Sequence, residues 1–505
     1  MSAEKNGKVW LVGAGPGDRG LFTLKGLEVL SDADVVVYDA LVGDGVLSLI
    51  PDGAELINVG KRSGNHIMPQ EEINRTLLRE AEKGKKVVRL KGGDPFPFGR
   101  GGEELELLTE KGIPYEVVPG VTSAFAVPAY NGIPVTHRDH CSSVHIITGH
   151  RRKGEEYDID FEALKNTGGT LIFLMGVKSL PEICNGLLHA GMDAKTPAAV
   201  LEKGTTAGQR RVVSTLGNLE KAAEEAKIGT PAIILVGTVC SLSENFAWAE
   251  KRPLSGQKIL LTRPKDLSSE TAAMLRRKGA EVLELPAIKT VAIEPNEKLK
   301  ACFEDWEEKG YDWLVFTSPT GVKVFFDAWL REHDIRALAN AKIAAIGRGT
   351  EKALKERGIK SDFLPSVYDG ETLGKELREK LESGERVLIP RASIGGQELI
   401  EELNKAEGIE IDDLPTYDTI YEKSETIDIG EELLSGSISW VVFTSASTVK
   451  GFKEAVGEID FSKVKAVCIG RQTRAAADAL GIKTWMSEKA TMESLVQKVV
   501  EVASV

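Results

Sequence analysis

Short apolar runs of strand length recur along the first 120 residues, each followed by a loop rich in glycine or charge and then by a stretch with helical periodicity. Val9 to Val12 runs into Gly13-Ala14-Gly15-Pro16-Gly17-Asp18 and an amphipathic segment from about Leu21 to Leu30. DVVVYD ends at Asp39, ELINVG precedes the polar segment KRSGNHIMPQ and a helical pattern from Glu71 to about Lys83, and KVVRL leads into a second glycine loop. Strand-like runs alternating with helix-periodic ones predict an α/β fold with a largely parallel sheet, whose ligand crevice lies at the carboxyl ends of the strands. Gly13 to Asp18, Asp39, Lys61 and Gly92 to Asp94 all fall at such ends, so the pattern itself brings chemically distinctive loops to one edge.

The second of these loops, within VVRLKGGDPFPFGRGGEE (Val87 to Glu104), carries glycines that permit close backbone approach and prolines at 95 and 97 that stiffen the turn. It predicts a shaped binding loop. From Gly15 the stretch GPGDRG fits GxGxxG, and Asp39 stands where a dinucleotide-binding fold keeps its ribose-binding acid. Pro16 and Asp18 oppose that reading, because they occupy positions where backbone amides and a neutral surface should meet a pyrophosphate.

Residues 245–257, NFAWAEKRPLSGQ, lose the periodic pattern and contain Pro253, Ser255 and Gly256, which predicts a linker. Beyond it the chain repeats itself: WLVFTSPTGVKVFF at Trp313 recurs as WVVFTSASTVKGFK at Trp440, and IAAIGRGTEKALKERGIK is echoed by VCIGRQTRAAADALGIK. ILLTRP likewise matches VLIPRA, which aligns Arg263 with Arg391. Two similar α/β units in tandem follow from this. Thr317-Ser318 and Thr444-Ser445, with Thr350 and Thr473, stand at predicted helix N-termini, where free amides and hydroxyls suit several carboxylates; the same residues serve equally as plain N-caps.

Length and charge narrow the picture. A chain of 505 residues predicts three or four domains, and a net charge of −12 argues against a general nucleic-acid or acidic-membrane surface. Any anionic ligand must then be met by local clusters such as Lys61, Arg62, Arg100, Arg138 and Arg151-Arg152-Lys153. No apolar run is long enough to span a bilayer and the N-terminus lacks a signal-peptide core, so a cytoplasmic protein is expected. The five cysteines form no CxxC pair. Four histidines crowd between His137 and His150, but SSVHIIT alternates like a strand and would scatter them over both faces, so no metal site is expected.

GAGPGD, VYDALV, VGKR, RLKGGDPFPFGRGGEE, PGVTSA, GIPVTHR, TGH, FLMGV, EKGTTAGQR and PAIILVG stand in the order and spacing of uroporphyrinogen-III C-methyltransferase, and residues 7–245 resemble that family of tetrapyrrole methylases. The resemblance implies two α/β lobes, about 1–120 and 121–245, binding S-adenosylmethionine as methyl donor, with S-adenosylhomocysteine as product, and a homodimer formed through this half. It places the donor against Pro16, Gly92, Gly93, Asp94, Pro97, Thr122, Ser123, Met175, Gly204 and Ala232. Asp39 and Lys61 are implied as proton acceptor and donor, and Arg62, Arg100 and Arg138 as contacts for the carboxylates of uroporphyrinogen III, which is methylated twice to precorrin-2 on the siroheme and cobalamin branch. Because the methylase motifs begin almost at residue 1, no counterpart of the dehydrogenase and ferrochelatase module of full siroheme synthases is expected.

The repeated half, residues 257–505 after a linker at 246–256, resembles uroporphyrinogen-III synthase, with one lobe from about 257–290 plus 423–505 and the other from 291–422. That family closes hydroxymethylbilane to uroporphyrinogen III with loss of water and inversion of the last ring. The loops of the repeat then make Arg263, Thr317, Ser318, Thr350, Arg391, Thr444, Ser445 and Thr473 the expected substrate contacts, and the resemblance implies Tyr417 in PTYDTIY as candidate acid. Two alternatives stay open: a methylase whose second half is a non-catalytic binding or scaffold unit, and a Rossmann-type oxidoreductase fused to a sensor.

Overall fold

In a computed structural model, which describes residues 7–51, 53–60, 68–149, 159–262, 265–285, 289–420 and 427–504, the first apolar runs form one parallel sheet. Its strands are β1 (Lys8–Gly13), β2 (Val35–Tyr38), β3 (Glu55–Asn58), β4 (Lys86–Lys91) and β5 (Tyr115–Val118), in the order β3-β2-β4-β1-β5. Alternation divides each strand between two cores: Val12, Val36, Val88 and Leu90 pack on one face with Leu30 and Val46, while Val9, Leu11, Val35, Val37 and Val87 pack on the other with Leu77 and Leu108. Both faces are covered by helices, which is why β2 reads as an unbroken apolar run. Lys61, Arg62, Arg263 and the run at 151–153 lie outside the described residues.

A second sheet holds β6 (Val144–Thr148), β7 (Thr170–Leu174), β8 (Pro197–Glu202), β9 (Arg210–Thr215) and β10 (Ala232–Val236), ordered β6-β7-β10-β8-β9. The largely parallel arrangement of the first sheet does not carry over to the second: here only β6 and β7 run parallel, and the other three pairings are antiparallel. A short connection, Lys203 to Gln209, permits the β8–β9 hairpin, whereas a parallel pair would need a long crossover.

Next come β11 (Lys258–Thr262) and β12 (Glu281–Leu285). The chain then builds a separate compact unit, Pro286–Lys423, with β13 (Lys289–Ala292), β14 (Trp313–Phe316), β15 (Lys342–Ala345), β16 (Arg386–Ala392) and β17 (Glu410–Ile420), ordered β13-β17-β16-β14-β15. It returns as β18 (Trp440–Phe443), β19 (Lys465–Cys468) and β20 (Lys483–Met486), which complete a parallel sheet ordered β12-β11-β18-β19-β20 within the unit formed by Met1–Leu285 and Ser424–Val505. In repeat terms β11, β18 and β19 hold the positions that β16, β14 and β15 hold in the other sheet, so each sheet draws its strands from both ends of the repeat.

Residues 246–256 are built into their neighbours. Leu254 is fully buried in the core of the β11 sheet, and Trp248 packs edge-on to Tyr130 and donates its indole N–H to the Ala129 carbonyl at 2.9 Å. Among the described residues, no helix is long and apolar enough to cross a membrane.

Candidate functional site

At the carboxyl ends of β1, β4 and β5 backbone meets backbone. Gly15 and Gly93 exchange amide bonds of 3.0 and 2.8 Å. An ideal Cβ on Gly120 would lie 2.3 Å from the Gly93 carbonyl oxygen and 2.7 Å from Gly13 Cα. Only hydrogen fits there or on Gly13, and Gly93 holds a left-handed φ of 70°, so the glycines of three separate sequence motifs build one corner, two by close approach and one by its backbone conformation. Asp94 fastens the corner: Oδ1 accepts the Phe96 N–H at 2.9 Å and Oδ2 accepts the Gly120 N–H at 3.0 Å. The carboxylate expected to meet a ligand therefore also shapes the loop that would hold one. Beside it Thr122 caps the helix Ser123–Tyr130, accepting the Ala124 N–H at 3.3 Å.

The loop after β1 also meets the hairpin between β8 and β9. The Asp18 N–H donates to Thr205 Oγ1 at 3.2 Å, the Tyr130 hydroxyl donates to Asp18 Oδ2 at 2.7 Å, and Gln209 Nε2 donates to the Tyr130 carbonyl at 3.1 Å. Gly204 packs so closely on Val127 that a Cβ would lie 2.3 Å from Cγ1. Met175, Lys203 and Thr205 have φ of 57°, 45° and 69°, a left-handed conformation that side chains other than glycine rarely adopt and that tends to persist at functional sites. Met175 is also half-exposed. Met175 and Gly204 follow β7 and β8, and Ala232 opens β10 between those two strand ends. Thus Pro16, Gly92, Gly93, Asp94, Thr122 and Ser123 gather at one corner of the first sheet, Met175, Gly204 and Ala232 gather at one edge of the second, and Pro97 lies exposed in the loop beyond Asp94.

A charged network lies beneath. Asp39, at the end of β2, accepts the Leu41 N–H at 3.0 Å and pairs with Arg89 Nη2 at 3.3 Å. Glu104 Oε1 receives Arg89 Nε at 3.2 Å, Lys91 Nζ at 2.8 Å and Gln70 Nε2 at 3.2 Å. Arg89, Lys91 and Glu104 are all buried, and burial together with the Arg89 charge holds the Lys91 pKa below its ordinary value. Sequence reasoning passed over Arg89, Lys91 and Glu104; the available signal was two cations two residues apart, on one face of an otherwise apolar strand, where charge requires an internal partner. Arg100 pairs with Glu103 Oε1 and Oε2 at 2.9 and 2.6 Å, and Arg138 is exposed in the turn from His137 to Cys141.

In the unit Pro286–Lys423, Ser318 caps the helix Pro319–Trp329 by accepting the Gly321 N–H at 2.9 Å, and its Oγ lies 2.8 Å from the Tyr417 hydroxyl. Burial raises the Tyr417 pKa above its ordinary value, although the Ser318 bond works against this, so the phenol keeps its proton near neutral pH. Thr350 is buried in the first turn of the helix Arg348–Lys355, and Thr317 is partly exposed. Arg391, expected to meet substrate, instead commits its buried fork to Asp413 at 2.5 and 2.6 Å and to the Gly396 carbonyl at 2.8 Å. A buried guanidinium is paired internally where a carboxylate is within reach.

In the other copy Ser445 and Thr448 form a capping box of two 3.3 Å bonds next to Thr444, and Thr473 is buried in the first turn of the helix Arg471–Asp478. Each of the two GxxT helices begins with an exposed arginine, Arg348 or Arg471, at the terminus whose dipole disfavours a cation. The Gly-Arg pair recurs at Gly347-Arg348 and Gly470-Arg471, a repeat signal that the sequence reading passed over.

Residues 8–220 match the family described as tetrapyrrole (corrin/porphyrin) methylases, and residues 269–497 match uroporphyrinogen-III synthase HemD. Siroheme synthase 2 of Klebsiella pneumoniae subsp. pneumoniae is 52% identical over 245 residues, 48% of this chain and 53% of that protein, so the chain spans about half the length of that relative. Among solved structures, uroporphyrin-III C-methyl transferase from Thermus thermophilus complexed with S-adenyl homocysteine is 43% identical, with 46% of this chain and 99% of that one covered and a TM-score of 0.40. A mutant uroporphyrinogen III synthase from the same species is 20% identical, covers 49% and 98%, and has a TM-score of 0.38. The porphyrin biosynthesis protein HemD of Ruminiclostridium josui is 49% identical over 500 residues, 99% of this chain and 98% of that protein. The chain belongs to the family of that protein: it is a bifunctional enzyme of tetrapyrrole biosynthesis in which a methylase is joined to a uroporphyrinogen-III synthase.

Proposed function

We propose that the protein catalyses two consecutive steps: closure of hydroxymethylbilane to uroporphyrinogen III, and two methylations of that product to precorrin-2. The observation that carries the methylase step is the glycine corner, where Gly13 and Gly120 leave no room for a Cβ, Gly93 holds a left-handed φ of 70°, and backbone amides and carbonyls form the binding surface. Such a surface suits S-adenosylmethionine, which carries no phosphate and presents polar edges and a sulfonium. Pro16, Gly92, Gly93, Asp94, Pro97, Thr122, Ser123, Met175, Gly204 and Ala232 would hold it. When bound, it supplies an electrophilic methyl group; a pyrrole carbon forms the new bond as the carbon–sulfur bond breaks, and the ring then gives up a proton. Asp39, anchored by Arg89, takes that proton, and Lys61 serves as donor.

In the synthase step, positioning supplies most of the catalysis. The helix N-termini behind Thr317-Ser318 and Thr444-Ser445, with Arg348 and Arg471, engage carboxylates, and Tyr417, kept protonated by burial, assists loss of the hydroxyl as water. Arg62, Arg100 and Arg138 serve the macrocycle in the methylase. We further propose a cytoplasmic homodimer formed through the methylase half, a reading supported by the exposed apolar residues Leu41, Phe96, Phe98 and Phe125 beside the glycine corner. Product analysis after incubation with hydroxymethylbilane tests the scheme. Type III macrocycle alone is expected without S-adenosylmethionine and dimethylated product with it; absence of type III product would leave the second half as a scaffold.

A further inference from the structure

The methyl-donor loops do not end at the methylase. Arg19, the residue after Asp18, donates to Glu284 Oε1 at 2.7 Å, and Arg276 Nη2 reaches the same oxygen at 2.5 Å. Ala207, at the tip of the hairpin that begins Gly204-Thr205, donates its N–H to Glu281 Oε2 at 2.7 Å. Glu281 and Glu284 both lie on β12, the edge strand of the sheet that belongs to the synthase-type lobe. A third tie is Lys258 of β11, whose Nζ is 2.7 Å from Asp44, 2.7 Å from Glu432 and 3.9 Å from Glu281. Asp44 follows Gly43, where a Cβ would lie 2.7 Å from the Gly17 carbonyl oxygen, so this contact too bears on the GPGD loop.

Resting on the methyl-donor reading above, we infer that β12 is a positioning element of the methyl-donor site, holding the Gly13–Asp18 loop through Glu284 and the Gly204–Ala207 loop through Glu281. The residues between these ties line a cavity of about 200 Å³ that includes Gly17, Asp18, Thr205, Gln209 and Arg276. The two loops touch each other through Asp18 and Thr205, and on the side that faces this space the carboxylates of β12 brace that contact by holding one residue of each loop. Exposed ion pairs contribute little, but Lys258 is buried and Glu284 nearly so, which shields these contacts from water and salt. A loop pair that visits its binding-competent spacing for only part of the time weakens apparent affinity by that fraction, while saturating ligand restores the competent state.

The test uses the full-length protein and titrates S-adenosylhomocysteine by calorimetry. Glu281→Gln combined with Glu284→Gln is expected to weaken binding about five- to hundredfold. KM for S-adenosylmethionine should rise in proportion, with kcat at saturating donor and type III closure both retained. Lys258→Met should share the defect and Lys258→Arg should not. A purely structural role would instead lower kcat and closure together. If the double variant does not fold, Glu284→Gln alone, which leaves Lys258 and its partners in place, carries the same comparison. Wild-type affinity in a variant that still closes hydroxymethylbilane would overturn the role of β12, whereas a wild-type chain that binds no S-adenosylhomocysteine would overturn the methyl-donor reading itself.

Discussion

At the ends of β1, β4 and β5 the backbone is the surface: Gly13, Gly93 and Gly120 touch main chain to main chain, and buried Glu104, Arg89 and Lys91 support them from below. At the ends of β14 and β18 a helix simply begins, capped by Ser318 or Ser445, with threonines buried in the first turn of the neighbouring helices. The first arrangement is fixed by sterics and admits almost no substitution. The second spreads its donors over several helix ends, so each one counts for little. Under the proposed function the difference would match the ligands: one compact donor with a reacting methyl on one side, and a flexible bilane whose many carboxylates need many modest contacts.

The sharpest way to break the comparison is Gly120→Val, which places a branched side chain where even a Cβ would be 2.3 Å from the Gly93 carbonyl oxygen. Binding of S-adenosylhomocysteine should vanish by calorimetry while hydroxymethylbilane closure persists; retained binding would mean that the corner can open. Glu104→Ala should come next. It leaves two buried cations without their shared carboxylate and should destabilise the methylase part by about 3–5 kcal/mol in urea titrations followed by a methylase-specific signal. An unchanged midpoint would show that Arg89 and Lys91 find water.

On the distributed side, Tyr417→Phe removes the phenol that lies 2.8 Å from Ser318 Oγ and should slow closure by about a hundredfold while still giving the type III product. Unaltered rate would remove tyrosine from the acid role. The smallest effects are expected from the caps themselves. Ser445→Ala loses one capping box and should cost about 1 kcal/mol of helix stability, with only a several-fold fall in activity. Ser318→Ala loses the Tyr417 contact as well and should fall further; equal effects in the two copies would show that the Ser318–Tyr417 pair is structural only.

The sequence by itself determined the α/β alternation, the two-part organisation, the tandem repeat and the convergence of glycine loops at one sheet edge. These follow from local rules: the two-residue and 3.6-residue periods set which face each residue occupies, and a glycine where a strand ends signals close backbone approach. Only the tertiary structure decided the rest. Whether Arg391 meets a substrate or Asp413 depends on a carboxylate 22 positions away in the chain, and Asp94 acquires its partner at Gly120 through strand order, which no local pattern encodes. The antiparallel pairings of the second sheet and the reach of Glu281 and Glu284 to the methylase loops are likewise set by which strands become neighbours. Side-chain periodicity fixes faces, but pairing and burial are decided by the whole chain, and there each charge is assigned its partner.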